Sequence, residues 1–482
     1  MIKILSKRLN STLVGYTEAL RISLAGGSEK DRHRHTEINK KLFVHDRLKL
    51  LLDDYENDFI NLSPLAGYQM TRYGTVPSGG RVAGIGSVSG KKCLIMADDA
   101  TVKAGALYPV SVQKTLRLQE IAKINRLPII YIVDGAGAFL PLQSEIFNPG
   151  GGCFRNIAQL KSMGVSQISI VAGSCTAGAA YIPTMCDQTV MVDGISSIYL
   201  GGPPLVQAAT GEMVSAEQLG GATVHCMESG YCDFFAENEM IGFEQIRNIA
   251  ETISCESGST EIYFEEDKKN VLFPDKTGLI ENQDLPPPNS EEIISNLFDN
   301  NTILNKFKPT YSTDVTCCFG YINKNLVGLV ANNSDTISDK GLNLAAHFIN
   351  LCSDRKSVKS LIFIQNGDIS PEHKPTNPKL DQNLNGFSRF LTSVAVCDTP
   401  RITLITGHQE NDFNVFSSQS SSPNFVFRWP EAGFRDMPSW RCSAELLDDG
   451  VILRENTRHV LAKIIPCVKR RNQNMDEPIF RM

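Results

Sequence analysis

The sequence predicts a mixed α/β protein built as two domains of like design. Three observations carry that expectation. From Val82 to Pro183, short β-branched runs alternate with stretches of helical pattern. From Val315 to Val468 the alternation returns with similar spacing. Between the two lies a polar, proline-bearing link, Asp284-Leu285-Pro286-Pro287-Pro288-Asn289-Ser290. At 482 residues the chain is also too long for one ordinary core.

The N-terminus, MIKILSKRLNSTLVGY, carries Lys3, Lys7 and Arg8 and no acid before Glu18. Ile2, Leu5 and Leu9 share a helical face, and Ser6, Ser11 and Thr12 complete the pattern of a mitochondrial presequence. Residues 1–30 are therefore expected to be a presequence and flexible N-terminus of a matrix protein. Residues 36–56 read as a helix through Leu42, Val44, Leu48 and Leu51-Leu52. Val82–Val88 and Cys93–Met96 read as strands joined by the turn Ser89–Lys92. Gly84 and Gly86 do not make a dinucleotide fingerprint, because a hairpin follows them and not a helix.

A helix is expected over Tyr108–Asn125 and a strand over Pro128–Val133, ending in Asp134-Gly135-Ala136-Gly137-Ala138. A further helix is expected near Phe154–Met163. The strand Gln167–Val171 then runs into VAGSCTAGAAYIP, read as a small-residue turn, Gly173–Ala180, before a helix from Tyr181. In the second region, Leu326–Ala331, Leu361–Asn366 and Ile402–Gly407 correspond to the strands ending at Ala97, Asp134 and Gly173. The intervals are 37 and 39 residues in the first region and 35 and 41 in the second.

Composition narrows the function classes. The chain is 42% hydrophobic and 21% charged, with a net charge of -6, which gives no general attraction to nucleic acid. No apolar run reaches the length of a membrane span. The 13 cysteines include no CxxC pair, so no metal site is expected, and their usage fits a reducing compartment. His225-Cys226 and Cys232 read as structural.

The chemistry lies in the turns. Gly135–Ala138 and Gly173–Ala179 end neighbouring strands, and their backbone N–H groups can converge on one oxygen. Such a main-chain oxyanion hole suits a thioester carbonyl that becomes an enolate. Ser174 lies outside a G-x-S-x-G elbow, and Cys175 has no evident base. Asp98-Asp99 reads as a cap and not as an acid–base pair.

Residues from about Arg47 to Glu239 resemble the carboxyltransferase (beta) subunits of biotin-dependent acyl-CoA carboxylases. The resemblance is carried by Ala97-Asp98-Asp99-Ala100-Thr101-Val102-Lys103, Tyr108-Pro109-Val110, Gln119-Glu120-Ile121-Ala122 and Asn125-Arg126-Leu127-Pro128. It continues in GSCTAGAAYIP, Gly202-Pro203-Pro204-Leu205-Val206, Ala208-Ala209-Thr210-Gly211-Glu212 and Val214-Ser215-Ala216-Glu217. Leu219-Gly220-Gly221-Ala222 and His225-Cys226 complete it. The PPLV, AATGE and HC segments resemble the 3-methylcrotonyl-CoA type.

The resemblance implies two crotonase-like (ClpP/crotonase) domains in tandem. Residues 31–283 would bind acyl-CoA, and residues 291–482 would meet biotin carried by a separate alpha subunit. Oligomers would form through contacts between N-domain and C-domain. Ala138, Gly178 and Ala179 would hold the thioester oxygen, and no side-chain base is required, because the biotin ureido nitrogen takes the proton. Lys103, Lys114, Arg117, Gly202 and Pro203 are candidate substrate contacts.

The sequence also departs from that family. Ala179 stands where a second glycine is usual, and Leu142 where an arginine is usual. On the biotin side, Asn366-Gly367-Asp368-Ile369-Ser370-Pro371 and Gly407–Asn414 are altered. Asp412 falls at the register of Gly178, and Phe413 blocks close backbone approach. A stretch between Pro430 and Leu447 is shortened. Three readings follow: a working carboxyltransferase with an altered biotin site, an impaired paralogue that binds acyl-CoA and assembles with active subunits, or an acyl-CoA hydrolase or decarboxylase independent of biotin.

Overall fold

Apolar runs bounded by glycine turns become strands, and the central parallel strands Ile129–Gly135, Ser360–Gln365 and Arg401–Ile405 are buried along their whole length. The computed structural model describes residues 2–253, 289–299, 303–371, 383–410 and 419–470. They fall into two compact units. One contains residues 19–253 with Ala444–Leu446. The other contains residues 2–18, 447–470 and the described part of 289–443. The link expected at Asp284–Ser290 lies mostly outside the described residues.

The first unit is organised on an eight-stranded sheet. Its strands include β1 (Ile60–Asn61), β2 (Arg81–Val88) and β3 (Lys91–Asp98). The short β4 (Ala106–Leu107) pairs instead with β6 (Gly137–Ala138). The sheet continues through β5 (Ile129–Gly135), β7 (Gln167–Thr176), β8 (Gln188–Val192), β9 (Ser197–Tyr199) and β10 (Phe234–Ala236). β1, β2 and β3 are antiparallel; β3, β5, β7, β8 and β10 then run parallel, and β9 pairs with the far end of β7.

The second unit repeats the plan with β11 (Asn305–Lys306), β12 (Val315–Ile322), β13 (Asn325–Asn332), β14 (Thr336–Ile337) and β15 (Ser360–Gln365). It continues with β16 (Ser370–Pro371), β17 (Arg401–Ile405) and β18 (Phe425–Arg428). The order β11-β12-β13-β15-β17-β18 matches β1-β2-β3-β5-β7-β8, and the β14–β16 pair matches β4–β6. Among the described residues, after β18 the second unit keeps only single parallel bridges, Gln409–Phe434 and Arg428–Val451, where β9 and β10 stand in the first unit.

Several elements differ from expectation, each for a non-local reason. The helix expected over 36–56 begins only at Val44 and ends at Leu51. Before it, the Leu42 amide is drawn to Glu239 Oε1 at 2.8 Å and Lys41 to Asp134 at 3.0 Å. The helix expected near Phe154 starts at Gln143 and runs to Ser162, through Pro149 and three glycines. Strand β7 continues to Thr176, because Ser174–Thr176 pair with β9, so the tight turn begins at Ala177 and not at Gly173. Residues 2–25 are helical, and Ala19, Leu20 and Ser23 are buried. The flexible N-terminus expected through residue 30 thus includes packed structure.

Candidate active site

Both small-residue turns of the first unit meet beside one cavity. Gly135 pairs with Cys175, and a side chain on Gly137 (φ +85°) would lie 3.3 Å from Thr176 O. In the β4–β6 pair the Phe139 amide donates to Leu107 O at 2.9 Å. Alternation along the strand then turns the preceding amide, that of Ala138, away from β4. Ala177 takes a left-handed φ of 53°, a strained conformation for a residue with a side chain, and a single helical turn, Ala177–Ala180, follows. The cavity, of about 280 Å³, is bordered by Ala138, Gly178 and Ala179 and walled by Leu107, Ile146, Phe154 and Ile182. The sequence-predicted oxyanion residues are therefore together at the edge of a mostly apolar hollow.

Behind the turns lies a buried charge network that was not foreseen. Arg47 donates to Asp134 at 3.2 Å, to Glu239 at 2.6 Å and to Ala172 O at 2.6 Å. One guanidinium thus ties the ends of β5 and β7 together. Gly173 is required there, since a side chain on it would sit 2.0 Å from the Asp134 carboxylate. Asp98 accepts from Arg81 at 2.7 Å and from the Asp134 amide at 3.3 Å. Arg81 also donates to Thr115 and reaches the cavity wall with its charge compensated. Asp99 accepts from the Thr101 amide at 2.9 Å, as a cap does, and burial pushes its carboxyl up to about 6.

The other predicted contacts divide. Lys103 is exposed on the turn before β4. Lys114 is buried and donates to three backbone carbonyls, Ser63 O at 3.1 Å, Ser78 O at 3.0 Å and Arg81 O at 2.7 Å. It is placed as an internal brace and not at the surface where a phosphate would bind. Burial, followed by the nearby Arg81 charge, pushes its amine down to about 7. Arg117 is also buried, with a bond to Glu120 at 2.9 Å. Gly202 precedes the helix Pro203–Thr210, shortly after β9 has flanked the end of β7. Leu142 packs against an apolar cluster that includes Val102, Tyr108 and Val110.

The Cys175 thiol is buried and held well above its ordinary range by that burial. His225 is engaged with Ile198 O at 2.8 Å and Ser229 at 2.7 Å, as a structural residue would be.

In the second unit Asn366 follows β15, and its amide donates to Asn332 Oδ1 at 2.8 Å. Gly367 has a φ of +87°, and a side chain on Gly407 would meet its nitrogen at 2.2 Å. Asp368 Oδ1 accepts from the Glu410 amide at 2.9 Å. Asp412 and Phe413 lie outside the described residues.

Duplicated sheets with paired glycine turns, one pair beside an apolar cavity, define the class. The chain belongs to the carboxyl transferase domain family, whose pattern it matches over residues 36–439. It is 39% identical over 422 residues to the mitochondrial methylcrotonoyl-CoA carboxylase beta chain of Arabidopsis thaliana, covering 85% of this chain and 70% of that one. It is 37% identical over 420 residues to a biotin-dependent 3-methylcrotonyl-coenzyme A carboxylase beta1 subunit of Mycobacterium tuberculosis, covering 84% and 76%. Its fold matches the crystal structure of the P. aeruginosa geranyl-CoA carboxylase beta subunit with a TM-score of 0.81, at 25% identity, over 99% of this chain and 96% of that one. The expected carboxyltransferase fold of crotonase type is therefore met, and the relatives are beta subunits of acyl-CoA carboxylases.

Proposed function

We propose that this chain is the carboxyltransferase subunit of a biotin-dependent acyl-CoA carboxylase, acting on 3-methylcrotonyl-CoA or a similarly branched acyl thioester in the mitochondrial matrix. The supporting observation is the convergence of Ala138, Gly178 and Ala179 on one apolar cavity. The thioester oxygen would accept from the Ala138 amide and from the amides of the Gly178-Ala179 turn. Charge that develops on this oxygen, as a proton leaves the acyl group, is held by dipoles that need no reorganisation. The apolar walls suit a short branched hydrocarbon. Lys103 is the exposed cation nearest in sequence to β4 and is assigned to the CoA phosphates.

Carboxybiotin, a substrate delivered by a biotin-bearing alpha subunit, supplies the carboxyl group and accepts the proton. The matrix assignment rests on the basic N-terminal helix and on relatives named mitochondrial. A leader is assigned to the part of the helix before Tyr16, since the residues beyond it are packed. Copurification with a biotinylated subunit and labelled-bicarbonate fixation onto 3-methylcrotonyl-CoA test the proposal. Failure of both sinks it.

A second reading is favoured by one observation: the Asp368 carboxylate stands between the two turns of the second unit, accepting from the Glu410 amide. An impaired paralogue would copurify and bind acyl-CoA without fixing carbon.

A further inference from the structure

The second unit keeps the fold of the first, so its turns can be compared rung by rung. Asp134 N donates to Asp98, and Asn366 N donates to Asn332, at the same place in each sheet. In the short outer pair, Ala106 and Leu107 face Gly137 and Ala138, while Thr336 and Ile337 face Ser370 and Pro371. The helices that follow β4 and β14 begin at equivalent points, Tyr108 and Ser338 being their caps. Pro371 therefore occupies the rung of Ala138. A proline cannot donate to Thr336 O, so the rung is of the same kind as Leu107–Ala138, with the nitrogen of residue 371 turned away from β14. In the first unit that outward position carries an N–H beside the cavity. In the second unit it carries none.

We infer that Pro371 deletes a main-chain oxyanion donor from the second unit, so that this chain supports negative charge at the acyl-CoA oxygen but not equally at the ureido oxygen of biotin. The inference rests on the carboxyltransferase reading. Removing the ureido proton places charge on that oxygen by resonance, as enolisation does for a thioester. The second unit therefore fits the biotin ring poorly at this rung. Neutral Asn332 and Asn366 replace the charged Asp98 and Asp134, and the Asp368 carboxylate stands nearby, so nothing among these residues replaces the lost dipole.

The test uses the full chain, free biotin and carboxylated 3-methylcrotonyl-CoA. The C–C bond to the carboxyl group breaks, a C–N bond to the ureido nitrogen forms, and the nitrogen's proton passes to carbon. Product acyl-CoA is followed by chromatography. Pro371→Ala is expected to raise the rate about tenfold or more at unchanged KM for the acyl-CoA, since one such donor commonly governs a factor of about 10² to 10³. Pro371→Gly is expected to act in the same direction and serves if the alanine variant folds poorly. Unchanged rates in both variants, with melting temperature and acyl-CoA binding intact, overturn the inference alone. Absence of 3-methylcrotonyl-CoA binding by the unaltered chain removes the functional reading and the inference with it.

Discussion

Replacing Ala138 by proline isolates a single N–H. The Ala138 amide is the one turned away from β4, so the ladder bond from Phe139 to Leu107 O is retained. The same rung of the second unit holds a proline, so a proline nitrogen is compatible with a rung of this kind. The loss is thus confined to one donor at the cavity edge. Such a donor is worth about 2.7–4 kcal/mol of barrier, or about 10² to 10³ in kcat. Because the interaction strengthens only as charge develops, KM for the acyl-CoA should change by less than about threefold. The assay is carboxyl transfer to 3-methylcrotonyl-CoA by the chain with its biotin-bearing subunit, with circular dichroism and melting recorded in parallel. A folded variant whose kcat stays within about threefold of the original refutes the assignment of Ala138.

Lys114→Met should lower stability and leave KM for acyl-CoA unchanged in the fraction that folds. Three buried carbonyls lose their donor, at about 1–3 kcal/mol each, and thermal unfolding will show it. A selective rise in KM would instead restore Lys114 to the phosphate site. Asp99 gives a pH signature. Its carboxyl is raised to about 6, so the folded state holds a proton that the unfolded chain has released. Its contribution is present below about pH 4 and is lost as pH rises through about 6. Asp99→Asn should therefore stabilise the protein at pH 8, by up to about 3 kcal/mol, with no gain at pH 4. Melting curves at the two pH values check this, and an equal shift at both contradicts it.

Much of the fold was legible because its central strands are parallel and buried on both faces. They appear as unbroken apolar runs, and their spacing recurs in both halves. What escaped the reading was set by partners far away in sequence. Ser174–Thr176 look like a turn until β9 arrives to pair with them. The NPGGG segment looks like a helix breaker, yet the helix Gln143–Ser162 runs through it.

The site was legible in its small residues and illegible in its charges. Lys114 reads in the sequence as a candidate substrate contact, and only the fold shows that three carbonyls converge on it. Arg47 and Asp134 are 87 positions apart, so no local pattern announces their contact. Pro371 was visible as a residue but not as a rung. One extra residue between Asn366 and Ser370, relative to Asp134 and Gly137, hides the match in any fixed register.

The most direct measurement is a crystal structure of the chain with 3-methylcrotonyl-CoA. The account predicts the thioester oxygen about 2.7–3.1 Å from the Ala138 nitrogen and from a nitrogen of the Gly178-Ala179 turn, with the branched carbons in the cavity beyond. An ordered acyl group bound elsewhere, or with its oxygen turned away from both turns, would contradict it.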